Sequence, residues 1–137
     1  MNYDIEYDED KKYVKASIEG EIDLKSFKVF TSDVADVYKK HHYSKVIYDL
    51  RSSSLNMNIV EIDEVPKLIA KMGIDISIKR ALVVSDDFIK YNFFETTSHN
   101  KKLNLKIFKN YSEAEEWLFN NEPFFGQTIP VSKISES

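Results

Sequence analysis

The sequence predicts an α/β fold: a mixed, mostly parallel five-stranded sheet with four helices, in the order β-β-α-β-α-β-α-β-α. Three observations carry that reading. Short apolar runs fit for buried strands (Lys45–Leu50, Arg80–Val84, Leu103–Phe108) alternate with longer stretches of helical apolar period. Such alternation requires crossover connections and therefore parallel strands. The first twenty residues instead alternate with period two around a polar turn, which adds one antiparallel edge. There is no internal repeat and no linker, so a single domain over residues 1–120 is expected, followed by a tail, 121–137, that is loosely ordered or docks.

The elements follow in order. In the first strand Tyr3, Ile5 and Tyr7 share a face. Asp8-Glu9-Asp10-Lys11 is a turn, and Tyr13–Glu19 is the returning strand, with Val14, Ala16 and Ile18 on one side and Tyr13, Lys15 and Ser17 on the other. Gly20 ends the hairpin. Asp23 is an N-cap, and Phe27, Phe30, Thr31, Val34, Val37, Tyr38 and His41 make one apolar helical face running to about His42. Lys45–Leu50 is a buried strand, and 51–58 a polar loop rich in Ser and Asn. Ile59–Met72 is helical, with Ile62, Val65, Leu68, Ile69 and Met72 inward. Pro66 within it predicts a kink, or a helix that starts near Asp63. Gly73 stops this helix. After the strand Arg80–Val84, the segment Ser85-Asp86-Asp87 caps a third helix from Asp87 to about His99. Leu103–Phe108 is the fifth strand. Ser112 and Glu115 form a capping box for the last helix.

Composition excludes several functions. With 42% hydrophobic and 31% charged residues in 137, the chain has the make-up of one globular domain rather than a disordered segment. The net charge is −4, acidic residues crowd positions 4–23, and the lysines are scattered, which leaves no basic footprint for DNA or RNA. The absence of cysteine removes disulfides, thiolate metal sites and thiol nucleophiles. No apolar run approaches the ~18 residues of a membrane span. No signal peptide is visible, so a cytoplasmic location is expected. The three glycines are dispersed, which excludes a phosphate-cradling loop and the Gly-x-Ser-x-Gly elbow of serine hydrolases. His41 and His42 point to different faces of one helix and His99 is remote, so no metal site and no cofactor are expected; histidines at helix ends serve the last carbonyls.

Four strings taken in order resemble the SpoIIAA-like family, which lies near the STAS domains and the CRAL-TRIO lipid-binding fold. They are Gly20-Glu21-Ile22-Asp23, Val46-Ile47-Tyr48-Asp49-Leu50, Arg80-Ala81-Leu82-Val83-Val84-Ser85, and Lys106-Ile107-Phe108 with Glu113-Ala114-Glu115-Glu116-Trp117-Leu118. They span roughly Tyr3 to Phe119. The resemblance implies a mixed sheet with packed helices and a non-enzymatic regulatory role. STAS domains are in some cases switched by phosphorylation of a Ser or Thr that follows a carboxylate at the start of the second helix. This chain departs from that pattern: it reads Leu55-Asn56-Met57-Asn58-Ile59 there, and Ser52, Ser53 and Ser54 lie too early to be the acceptor.

Two candidate sites stand out. Asp49 and Arg51, at the carboxyl end of one strand, and Ser85 and Asp86, at that of another, occupy the edge where open α/β sheets bind ligands. The alternative for them is helix capping and loop solubility. The third helix carries Phe88, Ile89, Tyr91, Phe93 and Phe94 within seven residues, too wide a set for one buried stripe. It is either a core helix with one exposed ring or an interaction surface of Tyr91 and Phe94 that mediates a homodimer, sealed by Phe124 and Phe125 of the tail. The leading function is thus a regulatory or protein-interaction module whose partner the residues do not identify. The alternative is a small-molecule or lipid-binding domain, which needs an apolar cavity of ~300 Å³ or more. An enzyme has only Asp49, Asp86 and Asp87 to draw on.

Overall fold

The computed structural model describes residues 1–85 and 88–119. It has the expected nine elements: β1 (Asn2–Asp8), β2 (Tyr13–Ile22), α1 (Leu24–His41), β3 (Lys45–Leu55), α2 (Ile59–Lys71), β4 (Lys79–Val83), α3 (Phe88–Asn100), β5 (Leu105–Phe108) and α4 (Tyr111–Phe119). The five strands form one sheet in the order β1-β2-β3-β4-β5. β1 is antiparallel to β2, and every other pair is parallel.

Strand order that follows chain order has a consequence for layering. Successive crossovers of one hand carry every connecting helix to the same side of the sheet. α1, α2 and α3 accordingly share one face, over a core that includes Val14, Ile18, Val46, Leu82 and Leu105. The other face is left to α4, which packs Ala114 and Leu118 on Tyr13, Ile47, Ala81 and Val83. The hairpin divides as its alternation predicts. Tyr3, Ile5 and Tyr7 pack toward the three-helix side, with Tyr3 edge-on to Phe30 and Tyr7 stacked on His41. Glu6 and Lys15 face each other on the opposite side as a 3.7 Å ion pair.

Three local readings need correction. Gly20 does not end β2. The backbone passes through it at φ +93°, a conformation that favours glycine, and the strand continues to Ile22 after a register shift between Ser17 and Glu19. That continuation supplies a partner for residues beyond Leu50, so the serine-rich segment read as a loop is strand as far as Leu55. The second helix starts at Ile59, as read, and not at the alternative Asp63. Asn58 caps it, accepting from the Glu61 amide at 2.8 Å while the Glu61 carboxylate accepts from the Asn58 amide at 3.0 Å, and Pro66 is a buried residue inside the helix. α4 is capped by Asn110, whose side chain accepts from Glu113 N at 3.1 Å, and not by Ser112.

The Asp23 cap is as expected, and it too is reciprocal: Asp23 accepts from Ser26 N at 2.8 Å and its own amide donates to the Ser26 hydroxyl at 3.1 Å. At the other end of α1, His42 adopts the left-handed conformation (φ 51°) and its amide donates to the Tyr38 carbonyl. Asn58 holds the α2 terminus by the same kind of reciprocal contact as Asp23. The substitution Asn58→Ala is expected to cost ~1 kcal/mol, read as a lower urea midpoint with an unchanged slope.

Candidate functional site

At the carboxyl edge, Asp49, Arg51 and Ser85 do meet. Asp49 and Arg51 are two apart on β3 and so share a face. Arg51 forks onto the carboxylate, Nε to Oδ1 at 2.9 Å and Nη2 to Oδ2 at 2.7 Å, with its guanidinium over the Tyr111 ring. Ser85 Oγ donates to the Arg51 carbonyl at 2.8 Å. Asp49 and Arg51 pair through their side chains, and Ser85 bonds the Arg51 main chain. Arg51 holds the Asp49 carboxyl below the usual range, so it stays ionised and paired. Tyr13, under α4, is pushed up to about 12 by burial and stays neutral. The Ser85 bond ties the segment after β4 to the β3 backbone beside the Asp49–Arg51 ion pair. Asp86 lies outside the described residues, as do Phe124 and Phe125.

The third helix differs from its sequence reading in which rings it exposes. Tyr91 is only 2% exposed, and its hydroxyl lies 2.8 Å from Ser53 Oγ, which also donates to the Leu50 carbonyl. Phe94 is half-buried and packs against the core. Among the described side chains of α3 the exposed apolar residues are Ile89 (84%) and Phe93 (37%), and across from them lie Ile59 (66%) and Val60 (72%) at the start of α2. Together they line an open groove of about 710 Å³ between the α2 N-terminus and α3, with Asn58 and Lys90 at its polar positions. Lys90 Nζ donates to the Leu55 carbonyl at 2.9 Å, so α3 is tied to the end of β3 at two points. The sequence held one signal for this groove: Ile59-Val60, two β-branched residues in the first turn of a helix whose inward positions come later.

A second concavity lies inside the core, between the sheet and the three-helix layer. It measures about 70 Å³ and is lined mainly by aliphatic side chains, among them Ile18, Val34, Val65 and Leu82. That is well short of the ~300 Å³ of a drug-sized site, and too small for a lipid. Among the described residues no cluster of three or more His, Asp or Glu could hold a metal ion, and no helix is long and apolar enough to cross a membrane.

The fold built from these elements is shared by a group of solved structures. A protein of the DUF3478 family from Shewanella loihica, described as having a SpoIIAA-like fold, superposes with a TM-score of 0.55 at 16% identity over 85% of this chain and 92% of its own. This chain has the SpoIIAA-like fold. An anti-sigma factor antagonist from Mycobacterium paratuberculosis aligns with a TM-score of 0.58 at 12% identity, covering 87% and 96% of the two chains. The anti-sigma factor antagonist SpoIIAA in its unphosphorylated form aligns at 0.54 and 10% identity, covering 85% and 95%. No model of a protein family matches the sequence, and no curated protein does. At such identities the likeness concerns the fold. Within the SpoIIAA-like fold of this chain, the start of α2 carries Asn58 as its cap, a side chain with no hydroxyl to phosphorylate.

The Asp49–Arg51 pair gives a pH prediction. Asp49 has a folded-state pKa below its unfolded value, so the stabilisation is complete above the unfolded pKa of ~3.9 and is lost as pH falls through the folded value. With Arg51 about half exposed, the pair is worth at most ~1 kcal/mol. Urea unfolding should find Asp49→Asn less stable than wild type near pH ~6 and the gap narrowed near pH ~3.

Proposed function

We propose that the protein is a regulatory protein-interaction module that docks an apolar segment of a partner protein in the α2–α3 groove. The observation that carries this reading is the groove itself. Four aliphatic or aromatic side chains face solvent at one place, whereas the other exposed large hydrophobic residues among those described are dispersed. An apolar centre with a polar rim is the anatomy of a protein interface. Two proteins of the same fold are anti-sigma factor antagonists, a role exercised on another protein, which supports a protein occupant over a metabolite. Asp49 and Arg51 are engaged with each other, and the Ser85 hydroxyl with the Arg51 main-chain carbonyl, which favours binding at the groove over a reaction at this edge.

The homodimer expected from the third helix would use the same groove, with Ile89 and Phe93 in place of Tyr91 and Phe94 as its contacts. A two-armed experiment tests the proposal. Proteins cross-linked to the chain in its native cells are identified, then each is purified and titrated against wild type, Val60→Asp/Ile89→Asp and the distal control Lys28→Glu. A direct complex weakened at least ~100-fold by the double substitution, as loss of central interface contacts would give, and untouched by the control is expected. Complexes indifferent to the groove variant would overturn the reading. Sedimentation of wild type alone at high micromolar concentration is expected to show no species that the double substitution abolishes; such a species would make a second copy the occupant instead.

A further inference from the structure

Arg80 is the second residue of β4 and turns its side chain into the three-helix core. It is 3% exposed and lines the internal cavity of about 70 Å³. Its guanidinium is held by backbone carbonyls alone on one side: Nη1 donates to Ile76 O at 3.2 Å and Ile78 O at 2.8 Å, and Nη2 to Asp75 O at 3.1 Å. The Tyr48 hydroxyl is its side-chain partner. Among the described residues no carboxylate lies within ion-pair distance of it. The nearby Asp75 carboxylate accepts from the Ser77 amide and hydroxyl instead.

A buried charge is ordinarily paired with an opposite one, because carbonyl dipoles solvate a cation without neutralising it. Burial lowers the Arg80 pKa from its ordinary value, but an arginine stays charged at any physiological pH. The other polar side chains on the cavity wall are already engaged: Thr31 Oγ1 donates to the Phe27 carbonyl at 2.8 Å, and Tyr91 pairs with Ser53. The rest of the wall is aliphatic or aromatic. The cavity therefore offers one cation and an apolar remainder, in a space a little over twice the ~30 Å³ share of one liquid water.

We propose that this cavity binds a short-chain monocarboxylate of acetate or propionate size, its carboxylate beside Arg80 and its alkyl end among Val34, Val65 and Leu82. Charge and size both enter the assignment. A divalent oxyanion would leave an uncompensated negative charge in the core. A long acyl chain exceeds the volume, which separates a free short acid from the carboxylate of a lipid.

Propionate is titrated into the ¹⁵N-labelled full chain in a carboxylate-free buffer, beside propionamide, sulfate and octanoate. The expected result is saturable movement of the Arg80 side-chain resonances and of amides around the cavity with propionate, at least tenfold weaker binding of propionamide and sulfate, and octanoate no tighter than propionate. Arg80→Met should abolish the response. Should that variant fail to fold, Val65→Phe decides, because it pushes a ring into the space while leaving Arg80 in place, and it is expected to lose propionate as well. Propionamide equal to propionate, a linear response without saturation, tighter octanoate, or an unchanged response in Val65→Phe would each overturn the proposal.

Discussion

The architecture depends on one pairing, the parallel register of β2 with β3 over its full length, from Val14 against Val46 to Ile22 against Leu55. Two strands so long and so aligned bring the starts of α1 and α2 side by side, a placement fixed further by the Asn56 amide donating to the Ile22 carbonyl at 2.8 Å. Within β3, β4 pairs only with Lys45–Asp49, so the last part of β3 has β2 on one side and no strand on the other. α3 takes that place. Tyr91 and Lys90 bond Ser53 and the Leu55 carbonyl, and the helix comes to rest beside the first turn of α2. The groove is what remains between them.

The layering adds the second constraint. Because strand order follows chain order, three helices share one face and a nine-residue helix holds the other. Every strand therefore needs an apolar residue toward the three-helix side, whereas only β3, β4 and β5 and the start of β2 need one on the α4 side. Ile47, Ala81 and Val83 meet that need, and Glu6 with Lys15 marks where it stops. Arg80 falls on the three-helix side of β4, where the segment after α2 presents three carbonyls to it.

Much of this was legible in the sequence because it rests on local pattern. Period-two alternation in 1–19, the apolar face of α1, the Asp23 cap and the strand runs at 45–50 and 80–84 all report the element that buries them. What escaped was decided by distant partners. Ser52-Ser53-Ser54 has the composition of a loop and is strand because β2 continues past Gly20 alongside it. In α3 the apolar residues have no helical period, so nothing local says which ring points inward. Ser53, 38 positions away, selects Tyr91 by giving its hydroxyl a partner, and Ile89 and Phe93 are left outside. The residues around Arg80 place it in a buried strand with its apolar neighbours, but nothing in the sequence marks that its cation is buried with carbonyl partners.

The central claim is that the β2–β3 pairing extends to Leu55 and fixes a preformed groove, and native-state hydrogen exchange tests it most directly. Backbone amides bonded within a stable sheet open only with large unfolding events, whereas loop amides exchange through local fluctuation. The account predicts that the Asn56 amide and the β3 amides paired with 19–22 exchange with protection close to that of Val46 and Ile47 at the sheet centre. Exchange at loop rates over residues 52–56, with Val46 and Ile47 protected, would contradict it.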